Sequence, residues 1–136
     1  MHAGDEARAE QVCHLFDDGD GDRAVDPEQF LRRPEAVMFV VEEQNELCGC
    51  AYGHELVHPD GDRSMLLYSL DVAEPFRRRG FGAALVNAFV DHARDIGCSE
   101  VWVLTDDGNA AALATYGAAG GQRDPGCQVM FVWPLS

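Results

Sequence analysis

No stretch of the 136 residues approaches the roughly 18 consecutive apolar positions of a transmembrane helix. The first residues, MHAGDEARAEQ, are charged and polar and lack the apolar centre of a signal peptide, so a cytoplasmic location is expected. Basic side chains are scarce, 10 against 24 acidic, for a net charge of −14. Such a surface repels nucleic acid and anionic membranes, so neither is expected as a partner, and it attracts polycations. There are five cysteines, an odd number with no Cys-x-x-Cys pair. Cys48-Gly49-Cys50 is too isolated for a zinc site, and reduced, mostly buried thiols are expected. A Gly-Lys-Ser/Thr string is missing, which argues against a nucleotide triphosphate loop. The length suits one domain, residues 1–136, with chain enough for a sizeable core, and a hydrophobic share of 46% is ordinary for a globular protein. A homodimer stays open.

What is present centres on Leu66 to Ile96, LLYSLDVAEPFRRRGFGAALVNAFVDHARDI. Leu66 to Val72 reads as a strand, and Ala73 to Phe76 as a short break containing Pro75. After Arg77-Arg78-Arg79-Gly80-Phe81-Gly82, the residues Phe81, Ala84, Leu85, Ala88, Phe89, Ala93 and Ile96 recur at helical spacing, with Gly97 as C-cap. The first N–H groups of a helix have no partners within it, and its dipole favours negative charge there. Gly80 and Gly82 carry no Cβ, so a ligand can approach the backbone. The three arginines add positive charge. A phosphate, best a pyrophosphate, is the natural ligand. The third glycine of a dinucleotide fingerprint would fall at Leu85, so that reading fails.

The string from Leu70 through Asp71, Val72 and the arginines to Gly82 resembles the acetyl-CoA-binding motif of the GNAT N-acetyltransferase superfamily, Leu-x-Val followed by Arg/Gln-x-x-Gly-x-Gly/Ala. Asn109, Ala112, Tyr116 and Gly120 match the family's second-helix pattern, and the resemblance covers roughly residues 36–133. It implies an α/β GNAT fold, a mixed central sheet with flanking helices. The family's opening strand is expected to be missing, since the chain starts almost at a helix. It also implies acetyl-CoA as cofactor, held by Leu70, Asp71, Val72, Arg77, Arg78, Arg79, Gly80, Phe81, Gly82, Ala83, Asn109, Ala112 and Tyr116. Backbone N–H groups from Arg78 to Ala83 would meet the pyrophosphate, with the arginine side chains secondary, and the N–H of Val72 is the expected donor to the thioester oxygen.

The remaining elements fit that layout. Asp5 to Phe16 reads as a helix, and Asp26 to about Arg33 as another, with Asp26 as N-cap and Pro27 at the first helical position. Between them DDGDGD invites a calcium reading, but Arg23 and Gln29 occupy the positions where an EF-hand loop needs Gly and Glu. Ala36 to Glu42 and Leu47 to Val57 are expected to form a hairpin, with Gly49 and Gly53 permitting bulges. Cys98 to Thr105 is a further strand, Asn109 to Ala119 a helix, and Gln128 to Trp133 the final strand.

Acetyl transfer to an amine needs a proton acceptor, a polarised carbonyl, alignment and a proton donor to the leaving thiolate. Tyr116 matches the family tyrosine that protonates the sulfur; packing at a helix–sheet seam is the alternative role. Asn109 would contact the cofactor or cap its own helix. Asp106, just after a strand, is the candidate base and ammonium anchor, against a plain helix-start carboxylate; Asp107 is the second carboxylate. His54, Glu55 and His58 could also line the cleft.

Tyr68, the Arg-Arg-x-Gly turn, Asn87, Asp106 and Tyr116 look like the GNAT-type aminoglycoside 3-N-acetyltransferases, which acetylate polycationic amino sugars. That likeness implies an acceptor site with Tyr68, Ser69, Glu55, Asp106 and Asp107. The family's Tyr-Asp-Leu is Tyr68-Ser69-Leu70 here. Asp71 stands nearby, and strand alternation is expected to turn it the other way unless a bulge intervenes. Another amine (a protein N-terminus, a lysine or a polyamine) or a non-catalytic CoA-binding module are the rival readings.

Overall fold

The computed structural model describes residues 27–124 and 130–135. The helix expected over residues 5–16, the acidic run at 17–22 and the place of any opening strand lie outside them. A short helix α1 (Pro27–Leu31) precedes an antiparallel hairpin, β1 (Ala36–Glu43) and β2 (Glu46–Val57). Gln44 and Asn45 form its two-residue turn, both at positive φ (52° and 66°), the backbone that matches the twist of the flanking strands. β3 (Arg63–Val72) pairs antiparallel with β2, and helix α2 (Phe81–Asp95) follows. β4 (Glu100–Trp102) then lies parallel to β3, and helix α3 (Ala110–Ala118) follows it. The sheet order is β1-β2-β3-β4, a mixed sheet as expected for the fold.

Strand alternation sorts the side chains onto two faces. On one, Val37, Ala51, Met65 and Leu67 meet Leu85, Val86, Phe89 and Ala93 of α2, the main core. On the other, Met38 and Cys50 pack with Phe30, Leu31 and Tyr52 in a smaller cluster beneath α1. Phe89 is fully buried, a contribution of about 1.5–3 kcal/mol for a side chain of this kind. Helices α2 and α3 are followed by glycines in the left-handed region, the expected C-cap Gly97 (φ 89°) and Gly120 (φ 90°). Cys48 and Cys50 are buried free thiols, and burial raises the Cys48 pKa.

Both glycines of β2 sit where the sheet is irregular. The register slips between Val41 and Glu42 and again between Tyr52 and Gly53, where Tyr52 faces Ser69 but Gly53 faces Leu67. Tyr68 is therefore an extra residue in β3, a β-bulge. Ser69 pairs with Tyr52 and Asp71 with Cys50, so the two share the α1 face. The expected opposition of Asp71 and Ser69 is corrected: residues two apart lie on one side of a strand.

Two further expectations change. The strand expected from Cys98 to Thr105 is shorter, because its pairing with β3 stops at Leu66 opposite Trp102. The described part of the expected last strand, residues 130–135, carries no strand. Met130, Phe131, Val132 and Trp133 are 68–78% exposed. Their β-prone sequence has no ladder to join among the described residues. No helix among those residues is long and apolar enough to cross a membrane.

At Gly53 an added Cβ would stand 1.9 Å from the Leu66 carbonyl oxygen and 2.8 Å from Phe89 Cζ. Gly53→Ala should therefore cost at least about 2 kcal/mol, by forcing β3 or Phe89 to move. Urea denaturation of the purified variant checks this, and a midpoint equal to wild type would refute the close approach.

Candidate active site

The site begins where β3 and β4 part. They pair at only three positions, Ser64–Glu100, Met65–Val101 and Leu66–Trp102, while β3 continues to Val72. The edge of β3 from Leu67 to Val72 thus has no β4 partner, and a gap opens between the strands. Leu70 and Val72 belong to the core face and pair with Ala51 and Gly49.

A single 3-10 turn, Glu74–Phe76, carries the chain from β3 towards α2. Gly80 is the N-cap of α2 at φ 83°, with no capping side chain, and Arg78 is also left-handed at φ 65°. The amides of the first helical turn therefore have no side-chain acceptor supplied by the cap. Left-handed turn residues help aim successive N–H groups into one concavity, a geometry suited to an anion. Arg78, Arg79, Gly80, Phe81, Gly82 and Ala83 lie together here, as the motif requires.

The arginines divide their work. Arg79 donates to both carboxylate oxygens of Glu43, at 2.8 and 2.6 Å, and lies 5.1 Å from the Phe81 ring centroid. The Arg79 hydrogen bond holds the Glu43 carboxyl below its ordinary pKa. Arg77 Nε donates to the Val72 carbonyl at 2.8 Å, and its guanidinium lies 3.7 Å from Asp71. These two side chains tie the turn to β1 and to the end of β3. Arg78 alone of the three has no side-chain partner among the described residues.

Gly82 has a packing role besides the one its position in the motif suggests. A Cβ there would meet Thr115 Cγ2 of α3 at 3.0 Å. The missing side chain lets α3 approach α2, and Tyr116 is the next residue. At Gly80 a Cβ would meet nothing within 4 Å, so that glycine is required by its φ.

Tyr116 packs against the main core and is half-buried. Its hydroxyl makes no hydrogen bond among the described residues, and burial raises its pKa above the ordinary tyrosine value. Asn109 caps α3: its Oδ1 accepts from the Ala112 N–H at 3.0 Å. The capping role is thus occupied, with Ala112 as its donor.

The acceptor candidates separate. Tyr68 and Ser69 lie at the start of the gap, on the α1 face. Asp106 is exposed in the loop between β4 and α3, its carboxylate without a partner among the described residues. Asp107 is ion-paired with Arg123. Glu55 pairs with Met65 on the core face and is bound by Arg63, which also donates to the Ile96 carbonyl at 2.6 Å. That arrangement fastens the C-terminal end of α2 to the sheet and takes Glu55 away from the α1 face. His54, its neighbour, stands on the α1 face, 6.5 Å ring to ring from Tyr68. Period-two counting from Tyr52 would have chosen His54 over Glu55. His58 lies beyond β2, 3.3 Å from Ser64 Oγ. No cluster of metal-binding side chains occurs among the described residues.

The model of a family described as "Acetyltransferase (GNAT) family" matches residues 6–120. No curated protein matches the chain significantly. Among solved structures, the fold is similar to an aminoglycoside acetyltransferase, meta-AAC0020, from an uncultured soil metagenomic sample, in complex with sisomicin. The TM-score is 0.89 at 21% identity, covering 100% of this chain and 93% of that one. It is also similar to aminoglycoside N-acetyltransferase AAC(6')-Iy in complex with CoA, with TM-score 0.79, 18% identity and 96% of each chain covered. A third similar structure is a transcriptional regulator from Bacillus halodurans C-125, with TM-score 0.73, 19% identity, 93% of this chain and 95% of that one. At these identities the likeness shows a shared fold.

The two glycines of the turn should respond differently to substitution. Gly82→Val should lower stability by about 1–3 kcal/mol, because the branched side chain meets Thr115 and displaces α3. Gly80→Ala should cost about 1–2 kcal/mol through its left-handed backbone alone, with α3 in place. Denaturation midpoints with the amide NMR shifts of residues 110–118 distinguish the two; unmoved α3 shifts in Gly82→Val would contradict this account.

Proposed function

The chain belongs to the acetyltransferase (GNAT) family, whose cofactor is acetyl-CoA, and we propose that it acetylates an amine of an aminoglycoside. The observation that carries the proposal is the gap beside the end of β3, after which the chain turns into α2, with Tyr116 packed against the core beneath the same helix. Its residues fit the cofactor: uncapped amides beside positive charge for a pyrophosphate, and an unpaired strand edge for an extended polar arm. When bound, acetyl-CoA supplies the acetyl group as a thioester.

The amides from Arg78 to Ala83 bind the diphosphate. Leu70 and Val72 would orient the arm with their backbone groups, and the Val72 N–H would be the donor to the thioester oxygen. Asp106 holds the acceptor ammonium and takes its proton, leaving a neutral amine that can attack. The Tyr116 hydroxyl would be the proton donor to the cofactor's sulfur. Half-burial suits this role, because the raised pKa keeps the phenol protonated to higher pH.

Support for an aminoglycoside comes from the similar folds of the sisomicin-bound and AAC(6') enzymes, and from the net charge of −14, which draws polycations. The sequence motifs favour the 3-N amine, so it is the first position to examine; the likeness to a 6'-type enzyme makes the 6' amine its competitor. Acetyl-CoA turnover, read as free thiol, against aminoglycosides, polyamines and peptides tests the acceptor class, and NMR of the product tests the position. Activity confined to peptides or to linear polyamines would overturn the aminoglycoside assignment.

Tyr116→Phe should lower kcat by about 100-fold or more with acetyl-CoA affinity little changed. Because the phenol pKa is raised, kcat in the wild type should not fall through loss of this proton until the pH exceeds about 10. Unaltered kcat in the variant would reduce Tyr116 to a packing residue.

Asp106→Asn keeps shape and removes charge. The KM for the amine should rise, and the rise of KM with salt should weaken relative to wild type. If Asp106 is also the base, kcat falls and the acidic limb of the pH–rate profile disappears. Unchanged KM and kcat would remove it from the site.

A further inference from the structure

Tyr68 is anomalous for the middle of a sheet. Met65 is 0% and Leu67 1% exposed, yet Tyr68 is 65% exposed. The bulge explains how: Leu67 is opposite Gly53 on the core side and Ser69 opposite Tyr52 on the other, so Tyr68 is carried outward on the α1 face together with Ser69. It is not isolated there. The Tyr52 ring lies 5.8 Å away at a tilt of 34°, and the His54 ring 6.5 Å away, edge to face at 72°. Phe30 of α1 in turn braces both, its ring edgewise at 5.5 Å from Tyr52 and 5.6 Å from His54. Four rings thus hold one another at the place where β3 leaves β4, and the outermost presents its surface to solvent.

Three of the carboxylates considered for the acceptor are already engaged. Glu55 is bound by Arg63 on the opposite face, Asp107 pairs with Arg123, and Asp71 lies 3.7 Å from Arg77. Salt links to these groups would require breaking existing pairs. An exposed aromatic surface, by contrast, offers the C–H face of a saturated ring both apolar contact and the attraction between a π-system and positively polarised hydrogens. Ammonium substituents on that ring strengthen the attraction. Mutual packing fixes the rings beforehand, so little side-chain freedom is lost on binding.

We propose that Tyr68, backed by Tyr52 and His54, is an aromatic shelf on which a saturated, amine-bearing ring of the acceptor stacks, selecting cyclic amines over linear ones. This rests on the acetyltransferase reading above and deepens it. Asp106 anchors charge, and the shelf reads shape. A linear polyamine carries the charge but has no ring face to lay on Tyr68.

The test compares Tyr68→Ala and Tyr68→Phe. Tyr68→Ala should raise KM for an aminoglycoside about tenfold, equivalent to about 1.4 kcal/mol, with kcat within about twofold, while Tyr68→Phe stays near wild type. KM for spermidine should be unchanged in both. A second readout needs no acetyl transfer: saturation-transfer NMR with sucrose, which has saturated rings and no amine, should show contact in wild type and Tyr68→Phe and none in Tyr68→Ala. Unchanged aminoglycoside KM and sucrose signal in Tyr68→Ala would overturn the shelf, as would an equal rise in KM for spermidine. If the wild type acetylates no aminoglycoside, the acceptor assignment fails by itself, and the sucrose comparison still decides the shelf.

Discussion

The seating of α2 on the sheet sets the position of everything else. Phe89, wholly buried, lies over Gly53, where even a methyl group would collide with it and with the Leu66 carbonyl. Close packing of this kind leaves the helix one place to sit. Its other end is fastened by Arg63, which bridges Glu55 to the Ile96 carbonyl. With the helix axis fixed, its uncapped N-terminus is fixed beside the end of β3. The absence of a side chain at Gly82 then lets α3 close against the same helix at Thr115. One packed seam thus positions both the turn at the start of α2 and Tyr116.

Electrostatics is arranged on two scales. Close at hand, guanidinium groups are structural ties: Arg79 to Glu43, Arg77 to Val72, Arg123 to Asp107. At longer range the 24 acidic residues outnumber the 10 basic ones, so the molecule as a whole attracts cations after its internal pairs are made. Long-range charge raises the rate of encounter and is weakened by salt, whereas contact geometry decides which cation stays. The exposed ring of Tyr68 belongs to the second task.

Local patterns carried much of the fold. Apolar periodicity located α2, the hairpin and β3, because a helix and a half-buried strand leave different spacings in the chain. Turn chemistry located the ends, through Gly97 and Gly120, and the cap through Asn109. The motif brought the turn from Arg77 to Ala83 together with Tyr116, whose separation in sequence the packing of α2 on α3 erases. Residues 130–135 show the limit of such patterns. Their sequence suits a strand, but a strand exists only where a neighbour accepts its hydrogen bonds.

What the sequence determined by itself was the family, the order of elements from β1 to α3 and the place of the glycine-bearing turn between β3 and α2, since each is written in contiguous residues with fixed spacing. The tertiary structure decided which groups are available. It bound Glu55 to Arg63 on the core face, tied Asp107 to Arg123 and gave Gly82 a part in helix packing. It also turned Tyr68 out on a bulge with Tyr52 and His54 behind it. These outcomes depend on cross-strand register and on contacts between residues far apart in the chain. A shift of one residue in a strand changes the face that a side chain occupies, and nothing local to Tyr68 records it.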